Sequence, residues 1–362
     1  MKLKIGNYTH YTNCRFCNSP KVTQVLNLGY MPLAGGFLKK DTSLKEFNEE
    51  KLYPLTLNFC NNCLLLQCDN AIHADVLFKN YFYYSSKIPA LTTHFKNIAN
   101  TIPSMINKKN PFILEIGCND GAFLKELINQ GYKPLGIDPA QNITKPLIKQ
   151  GLPIINDYFT NNLAKKIVKE RGKVDAIYSF HAMAHIEDMR DVMLGVKTVL
   201  KKDGYLAMEV HYLGDLLKEV QYDMIYHEHQ FYYSLLSLKK FFKLFEMEIF
   251  DVKHSSLRAG SMTYYVQNIK TGTHKITNAC KQLDTEEKKM GIHKVDTYIS
   301  FANYIQKTRK NLIKTIKQIK SQGGYVVGYG ASGRGTIIAN YCNLDKNTLD
   351  FMVDDAPAKL GA

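Results

Sequence analysis

The chain has 362 residues, 45% of them hydrophobic and 22% charged, which is the composition of a folded protein with two or three domains. No apolar leader follows Met1 and no apolar run reaches the ~18 residues of a membrane helix, so we expect a cytoplasmic protein with no membrane partner. The net charge of +14 comes mainly from lysines, whereas arginine, which nucleic-acid readers favour, is scarce. We therefore expect no nucleic-acid partner, and the charge reflects either a lysine-rich solvated surface or attraction of an anionic substrate.

Two Cys-x-x-Cys pairs lie in the first part of the chain, Cys14 with Cys17 and Cys60 with Cys63. This is the spacing of a four-thiolate zinc site, and asparagines beside each pair predict short turns in which two thiolates face one ion. A metal would add folding energy to a segment with little core of its own. Disulfide bonds are the alternative, but they are rare in cytoplasmic proteins. The sequence predicts a structural zinc-binding module over residues 1–75.

Two further features lie outside this pattern. The remaining cysteines follow no pairing, and we expect them to be buried small apolar residues: Cys68, Cys118, Cys280 and Cys342. The stretch Tyr81 to Ser86 reads YFYYSS. Its composition fits simple packing and, equally well, a substrate lid that carries phenol donors.

The stretch from Phe112 to Phe123, FILEIGCNDGAF, is the one around which we expect the chain to be organised. It predicts a buried strand over 112–116, a tight turn bracketed by Gly117 and Gly121, and then a helix. Glycines let the backbone approach a ligand closely, and the free N–H groups of a helix start can meet a carboxylate. The sequence therefore predicts a cofactor cradle.

A second predicted strand, 134–137, ends at Asp138, whose carboxylate can accept both hydroxyls of a ribose. The spacing Glu-x-Gly-x-x-x-Gly resembles the first motif of class I S-adenosylmethionine-dependent methyltransferases. The resemblance implies that Glu115 orders the loop, that Gly117 and Gly121 line the methionine part and that Asp138 holds the ribose. The expected cofactor site also includes the neighbours of these residues, Cys118, Asn119 and Pro139. An ordinary βαβ unit with a tight turn is the alternative.

Further predicted strands complete an α/β methyltransferase domain over residues 76–270. They cover Pro153 to Ile155, Val174 to Phe180, Tyr205 to Val210 and Met262 to Gln267, with a loop over Leu200 to Gly204. His181 and His185 follow the fourth strand, where strand ends face the ligand crevice. On a helix the two would share a face. For His185, substrate contact, a structural role and metal binding all stay open.

The segment Tyr226-His227-Glu228-His229 places two histidines beside a carboxylate and a phenol. In a strand, the phenol and the carboxylate would face one way and the two imidazoles the other. A neutral imidazole is the natural general base near neutral pH, and a neighbouring carboxylate can raise its basicity. A buried polar network and a second metal site are the alternatives.

The sequence predicts a helical connector over 271–322, in which Thr285 to Gln322 is charged and helical. A second strand, glycine turn and helix follow in YVVGYGASGRG, where Gly328, Gly330 and Gly333 form a Gly-x-Gly-x-x-Gly pattern. A strand over Leu349 to Val353, ending in Asp354-Asp355, comes next. We expect residues 323–362 to begin a Rossmann-like domain that is truncated, because such a domain needs further strands.

The order of these motifs resembles the nucleotide-sugar C-methyltransferases, of which known members act on thymidine-diphosphate-linked keto-deoxysugars. YDMIYHEHQFYYSL is the most specific match, and YPLTLNFCNNCLLLQ and GYMPLAGGFL also fit. The resemblance implies a zinc module, a central methyltransferase domain and a C-terminal Rossmann-like domain. It implies S-adenosylmethionine and structural Zn²⁺ as cofactors and a nucleotide-linked keto sugar as the partner. We expect a monomer.

The resemblance also implies roles for single residues. His229 matches the general base that removes the proton beside the ketone, giving an enolate whose carbon attacks the methyl group. Glu228 and Tyr226 match its supporting acid and phenol, and His185 matches a substrate-contacting histidine. Tyr83 matches a tyrosine near the reacting carbon, although Tyr81 fits that place too. The remaining residues of the expected substrate site are His181, Ser261, Gly328, Gly330 and Arg334.

Two departures from the family pattern concern the substrate. The family usually has Asn close to the sugar where this chain has His181, and Arg258-Ala-Gly260 has one Ala where a glycine pair is usual. The sequence thus predicts a zinc-containing C-methyltransferase of a nucleotide-linked keto sugar. The alternatives are an O-methyltransferase, a non-catalytic nucleotide-sugar-binding or zinc-ribbon module, and an oxidoreductase with NAD at Gly328 to Gly333.

Overall fold

The computed structural model describes residues 2–34, 42–43, 45 and 49–354. The end of the GYMPLAGGFL stretch beyond Ala34, and Asp355, lie outside the described residues. Within the described ranges, none of the helices is both long enough and apolar enough to cross a membrane.

The first part of the chain forms small antiparallel sheets. Its elements are β1 (Lys2–Ile5), β2 (Tyr8–Tyr11), β3 (Val22–Met31), β4 (Tyr53–Cys60), β5 (Leu66–Cys68), β6 (Asn70–Ile72), α1 (Ala74–Phe78) and α2 (Pro89–Met105). Strands β1, β2 and β6 share one sheet, and β3, β4 and β5 share another. The first cysteine pair lies in a turn before β3, and the second lies at the turn between β4 and β5. The predicted turns for both pairs are therefore present.

The middle of the chain alternates strands and helices. Its elements are β7 (Phe112–Ile116), α3 (Ala122–Asn129), β8 (Lys133–Ile137), α4 (Gln141–Lys149), β9 (Ile154–Ile155), α5 (Asn161–Arg171), β10 (Val174–Phe180), α6 (Met189–Val199), β11 (Leu200–His211), α7 (Leu213–Lys218), β12 (Phe231–Tyr232), α8 (Leu235–Lys243), β13 (Met247–Ser255) and β14 (Ser261–Asn268). Short 3₁₀ turns cover Ser85–Lys87, Ala182–Ala184, Tyr222–Met224 and Leu257–Ala259.

Seven of these strands form one sheet in the order β13-β14-β11-β10-β7-β8-β9. The five strands from β11 to β9 are parallel, and β13 and β14 pair antiparallel at the other edge. Alternate residues of β7 enter different cores: Ile113 packs with Phe123 of α3, and Leu114 packs with Leu163 of α5. Helices therefore cover both faces, as a parallel sheet requires. The predicted α/β fold with a class I methyltransferase core is confirmed.

Strand order reverses between β7 and β10, since the chain runs from β7 outward to β9 and then returns to β10. In open α/β sheets, ligands bind at the carboxyl ends of the strands beside such a reversal. This position carries the predicted glycine turn and His181.

The last part of the chain is helical before a short βαβ unit. Its elements are α9 (Asn278–Lys289), α10 (Val295–Ser321), β15 (Val327–Tyr329), α11 (Gly333–Cys342) and β16 (Phe351–Val353). Strands β15 and β16 pair in parallel, as the second strand-turn-helix pattern predicts. The segment predicted as helical, Thr285 to Gln322, lies in two helices, because α9 ends near Gly291, whose φ of +74° is the left-handed conformation that stops helices.

Two strand predictions also need correction. The predicted loop from Leu200 to Gly204 is the start of β11, where the pairing with β10 is irregular. Strand β13 was not expected, although it pairs along β14 from Met247 to Ser255. Both errors concern segments whose strand conformation is set by neighbouring strands rather than by local sequence.

The N-terminal module packs directly on the central domain. Phe16, between the first two cysteines, is 0% exposed, and its ring lies 3.7 Å from that of Phe241 in α8, centroid to centroid. Strand β12 pairs with β5, so Phe231 and Tyr232 add a fourth strand to the sheet of the module. The module and the central sheet thus share one hydrophobic core.

We expect Phe16→Ala to lower the free energy of unfolding by about 3–5 kcal/mol, because it leaves a cavity where the module meets the central domain. Tyr30→Ala is the matched control, since Tyr30 lies in the same module but is 68% exposed; it should cost within about 0.5 kcal/mol. Urea denaturation of both variants measures the difference. Equal losses would show that Phe16 does not join the two parts.

Candidate active site

A cavity of about 150 Å³ opens at the carboxyl ends of β7, β8 and β10. Residues of the glycine turn, of the aromatic stretch after α1 and of the segment after β10 form its walls. The predicted site residues that line it are Tyr81, Tyr83, Gly117, Asn119, Asp138, Pro139, His181 and His185. It is lined also by Phe78, Tyr158, Phe180 and Arg258. The cofactor cradle and part of the expected substrate site therefore meet in one cavity.

The glycine turn is fixed by backbone conformation and by close contact. Gly117 has φ of +77°, and a Cβ at this position would lie 2.3 Å from the Cβ of Ala182. Gly121 has φ of +70° and precedes the first residue of α3. Residues with a side chain are strained in this conformation. Both glycines are therefore required by the turn itself.

Asp138 is held at the cavity wall by two backbone groups. Its Oδ2 accepts a hydrogen bond of 2.9 Å from the N–H of Asn119, and its Oδ1 accepts one of 2.9 Å from the N–H of Ala140. Burial raises the pKa of this carboxyl, while these two hydrogen bonds lower it. The carboxylate keeps lone pairs that can accept ribose hydroxyls.

Glu115 and Cys118 lie behind the turn. The thiol of Cys118 is buried near Gly136, away from the main cavity. Glu115 is buried, and its Oε2 has no hydrogen-bond partner among the described residues. Burial, and then the charges of Asp138 and Asp120, raise the pKa of Glu115 well above its ordinary value. The predicted role of Glu115 in ordering the loop stays a prediction.

Two tyrosines of the aromatic stretch, Tyr81 and Tyr83, line the cavity. The hydroxyl of Tyr81 donates to Oε2 of Glu228 over 3.1 Å, and the hydroxyl of Tyr83 accepts from a guanidinium N–H of Arg258 over 2.5 Å. Phe82 between them is 80% exposed. This arrangement favours the predicted lid over simple packing.

The same stretch is tied to the glycine turn. The amide of Asn119 donates to the carbonyl of Tyr83 over 2.9 Å and accepts from the N–H of Ser85 over 3.0 Å. Asp120 accepts hydrogen bonds from both the N–H and the hydroxyl of Ser86. These hydrogen bonds therefore connect the glycine turn directly to the aromatic stretch.

Four histidines form a row, in which His181 and His229 are buried and His185 and His211 are half-buried. Ring centroids lie 4.6 Å apart for His181 and His211, 4.5 Å for His211 and His229, and 5.2 Å for His229 and His185. His211 was missed by sequence analysis. Its position at the end of β11 was an available signal, because the same strand-end rule identified His181.

The burial and hydrogen bonding of His229 are those of a neutral imidazole base. It is 3% exposed, and its Nδ1 lies 2.8 Å from the carbonyl of Met224, which can only accept, so Nδ1 carries the proton and Nε2 the lone pair. Burial is the main cause that lowers the pKa of His229 to about 3. The ring of Tyr226 lies 4.0 Å away, centroid to centroid. His229 is therefore unprotonated at Nε2 near neutral pH.

The local geometry around these histidines differs from prediction. Residues 226–229 form a turn, closed by a bond from the N–H of His229 to the carbonyl of Tyr226, so the alternating strand arrangement is wrong. His227 points away and lies 3.2 Å from the carbonyl of Tyr53. His181 and His185 flank a 3₁₀ turn rather than share a helix face, because His181 has φ of +63°.

Several expected substrate residues lie outside the cavity. Ser261 is buried behind His181 and donates to the carbonyl of Leu257. Gly328 and Gly330 belong to the β15 turn and do not line the cavity. Arg334 forms an ion pair of 2.7 Å with Asp223, which precedes the 226–229 turn. Their assignment to substrate binding stays a prediction.

The two cysteine pairs come together as expected. The four sulfur atoms lie within 4.8 Å of one another, with 3.4 Å between Cys14 and Cys63 and 3.7 Å between Cys17 and Cys60. A tetrahedral zinc site with Zn–S bonds of about 2.3 Å needs sulfur separations of about 3.8 Å. In the described part of the chain, no other group of three such ligand residues is this close. The other four cysteines are buried and unpaired, as predicted.

Comparison with known proteins agrees with this geometry. A model described as "Putative zinc binding domain" matches residues 14–78, one described as "Methyltransferase domain" matches 92–251, and one described as "C-methyltransferase C-terminal domain" matches 256–362. The C-methyltransferase NovU of Streptomyces niveus is 30% identical over 349 residues, which cover 96% of this chain and 82% of the relative. The chain belongs to the C-methyltransferase family. The predicted methyltransferase activity and zinc module are thereby confirmed.

Other relatives are more distant. An uncharacterized methyltransferase of Alkaliphilus oremlandii is 25% identical over 145 residues, covering 37% of this chain and 66% of the relative. The structure of the PH0226 protein of Pyrococcus horikoshii has a TM-score of 0.41 at 16% identity, covering 51% of this chain and 94% of that one. An S-adenosylmethionine-dependent methyltransferase of Clostridium acetobutylicum has a TM-score of 0.38 at 17% identity, covering 52% and 94%.

The pKa of His229 has a consequence for stability. An imidazole in the unfolded chain titrates near ~6.5 and that of folded His229 near 3, so the unfolded chain binds more protons between these values. The contribution of His229 to stability is therefore lost as pH falls below ~6.5. Between about pH 6 and pH 5, wild type should lose roughly 1 kcal/mol more free energy of unfolding than His229→Asn.

Urea denaturation at the two pH values measures this difference. Tyr226→Phe is the control, because it alters the ring that contacts His229 but keeps the imidazole, and it should show the wild-type pH dependence. Identical pH dependence in wild type and His229→Asn would mean that His229 is already protonated or is exposed in the folded protein.

Proposed function

We propose that this C-methyltransferase methylates a carbon beside the ketone of a nucleotide-linked keto-deoxysugar. The observation that carries the proposal is His229, a buried imidazole with its lone pair at Nε2 and with a phenol and a carboxyl group beside it. A hydroxyl group would not require this arrangement, because loss of its proton leaves charge on oxygen alone. Carbon acids need both a positioned base and donors for the enolate oxygen.

Residues of the main cavity fit the predicted cofactor, S-adenosylmethionine. Asp138 lines the cavity, where its carboxylate would accept ribose hydroxyls, and Gly117 lines the same cavity. Tyr158 and Pro139 add apolar walls suited to an adenine ring. When bound, the cofactor supplies an electrophilic methyl group on a sulfonium.

In the proposed reaction, Nε2 of His229 accepts the proton from the sugar carbon. The electron pair of that C–H bond forms the C=C bond of the enolate, and the π pair of the ketone moves to its oxygen. The hydroxyl of Tyr83 would donate to that oxygen, because it accepts from Arg258 and its own proton is free. Glu228 accepts the hydrogen bond of Tyr81, and burial raises the pKa of Glu228 while that bond lowers it. His185, whose ring stacks on His229 at 5.2 Å, lies at the cavity wall for contact with the sugar.

Positive charge supports the proposed substrate class, in addition to the proposed base His229. A nucleotide diphosphate is anionic, and the chain carries a net charge of +14. The positive charge of Arg334 lies near enough to His229 to lower the pKa of this histidine, although burial is the larger cause. A positive field at this end of the cavity raises the local concentration of an anionic substrate.

Solvent-deuterium exchange tests the proposed role of His229. Thymidine-diphosphate-linked keto-deoxyhexoses are incubated with the protein in deuterated water without cofactor, and the sugar is read by NMR. We expect deuterium at the carbon beside the ketone with wild type, and at least ~100-fold slower exchange with His229→Asn, the low end of what a general base contributes. His254→Asn is the control, because His254 is at the surface.

An O-methyltransferase gives a different result, since removal of a hydroxyl proton leaves no deuterium on carbon. Absence of enzyme-dependent exchange with every sugar, together with methyl transfer to oxygen, would overturn the proposal. Equal exchange in wild type and His229→Asn would assign the base to another residue.

A further inference from the structure

Arg258 is a cation in the cavity wall that forms no ion pair with any of the described residues. In the described part of the chain, no carboxylate lies within 4.0 Å of its guanidinium, in contrast to Arg334 with Asp223. Its hydrogen-bond partner is the neutral hydroxyl of Tyr83, and its buried Nε has no hydrogen-bond partner among the described residues. A buried N–H of a charged group without an acceptor is costly, and a ligand that supplies the acceptor removes that cost.

Contacts with Tyr83 and a constrained backbone hold the guanidinium of Arg258 in place. Its central carbon lies 4.8 Å from the ring centroid of Tyr83, and one of its N–H groups donates to the hydroxyl of the same residue. The backbone there has three successive positive φ values, 53° at Arg258, 66° at Ala259 and 101° at Gly260. Such strain persists where the surrounding structure maintains it, often at ligand sites.

Arg258 lies where the main cavity meets a second, smaller one. The smaller cavity is lined by Gly117 and Cys118 of the glycine turn and by Ala122, the first residue of the eight-residue helix α3. Glu115 also lines it, and the Oε2 of Glu115 is the unpartnered carboxyl oxygen described above. One small space therefore contains a guanidinium N–H and a carboxyl oxygen that have no partner among the described residues. Glu209 lines it too, but its carboxylate is bonded to His94 and Thr263.

We propose that Arg258 binds the carboxylate at the amino-acid end of S-adenosylmethionine through its Nε, while its other N–H groups keep hold of Tyr83. The inference rests on the proposed use of this cavity by that cofactor. An amino-acid end carries one carboxylate and one ammonium, which match the guanidinium of Arg258 and the carboxyl oxygen of Glu115. The start of α3 adds partial positive charge beside the carboxylate.

The proposal connects the two halves of the reaction. Because one guanidinium touches both the cofactor carboxylate and Tyr83, the arrival of the cofactor fixes the phenol that faces the acceptor. The enolate oxygen of the sugar is another anion that Arg258 would attract. The small cavity favours the carboxylate, since Gly117 and Cys118 of the glycine turn line it.

Calorimetric titration with two ligands separates these possibilities. S-adenosylhomocysteine and 5′-methylthioadenosine share the adenosine and the thioether, but only the first has the amino-acid end. We expect Arg258→Gln to reduce the ratio of the affinity for S-adenosylhomocysteine to that for methylthioadenosine by about tenfold or more, because the variant loses a charge-assisted hydrogen bond. The affinity for methylthioadenosine should be unchanged. Arg258→Lys keeps the charge but not the fork of donors, and it should fall between the two.

Arg334→Gln is the matched control, because Arg334 is also near His229 but is paired with Asp223. It should keep the wild-type preference. An unchanged preference in both Arg258 variants, or an equal loss of affinity for the two ligands, overturns the proposal. Binding of neither ligand by wild type would contradict the proposed cofactor use itself, which is a distinguishable failure.

Discussion

The structure depends on the burial of one short segment, residues 226–232, between the zinc module and the central sheet. Strand β12 pairs with β5 of the module, and the N–H of Cys68 donates to the carbonyl of Gln230 over 2.9 Å. Because the segment is held on both sides, His229 keeps its Nδ1 on the carbonyl of Met224 and its Nε2 free. The proposed base is thus positioned by a module that contributes no group to the proposed reaction.

Arg15 extends this connection from the metal site to the histidines. It lies between Cys14 and Cys17, and its guanidinium donates to the side chain of Gln230 at 2.5 Å. Gln230 in turn donates to the carbonyl of His185 over 2.9 Å. Zinc at the cysteines would therefore fix more than the fold of the module, since the same turn presents Arg15 to the 226–232 segment.

The local parts of this molecule were predictable from sequence, and the long-range parts were not. Glu115, Gly117, Gly121 and Asp138 belong to one strand-turn-helix-strand unit, and the two cysteine pairs have ligand spacing, so short-range patterns identify both. The contact of Arg258 with Tyr83 joins residues 175 positions apart. His211 reaches His229 through the order of strands in the sheet. The 226–229 turn was taken for a strand because its conformation comes from the module that it packs against.

The most direct test of this account is the fate of a labelled methyl group. S-adenosylmethionine with a ¹³C-labelled methyl is incubated with the protein and a set of thymidine-diphosphate-linked keto-deoxyhexoses, and the product is examined by NMR. The account predicts a methyl carbon bonded to the sugar carbon beside the ketone, formed by wild type but not by His229→Asn. A methyl group bonded to oxygen, or label transferred equally well by the variant, would contradict it.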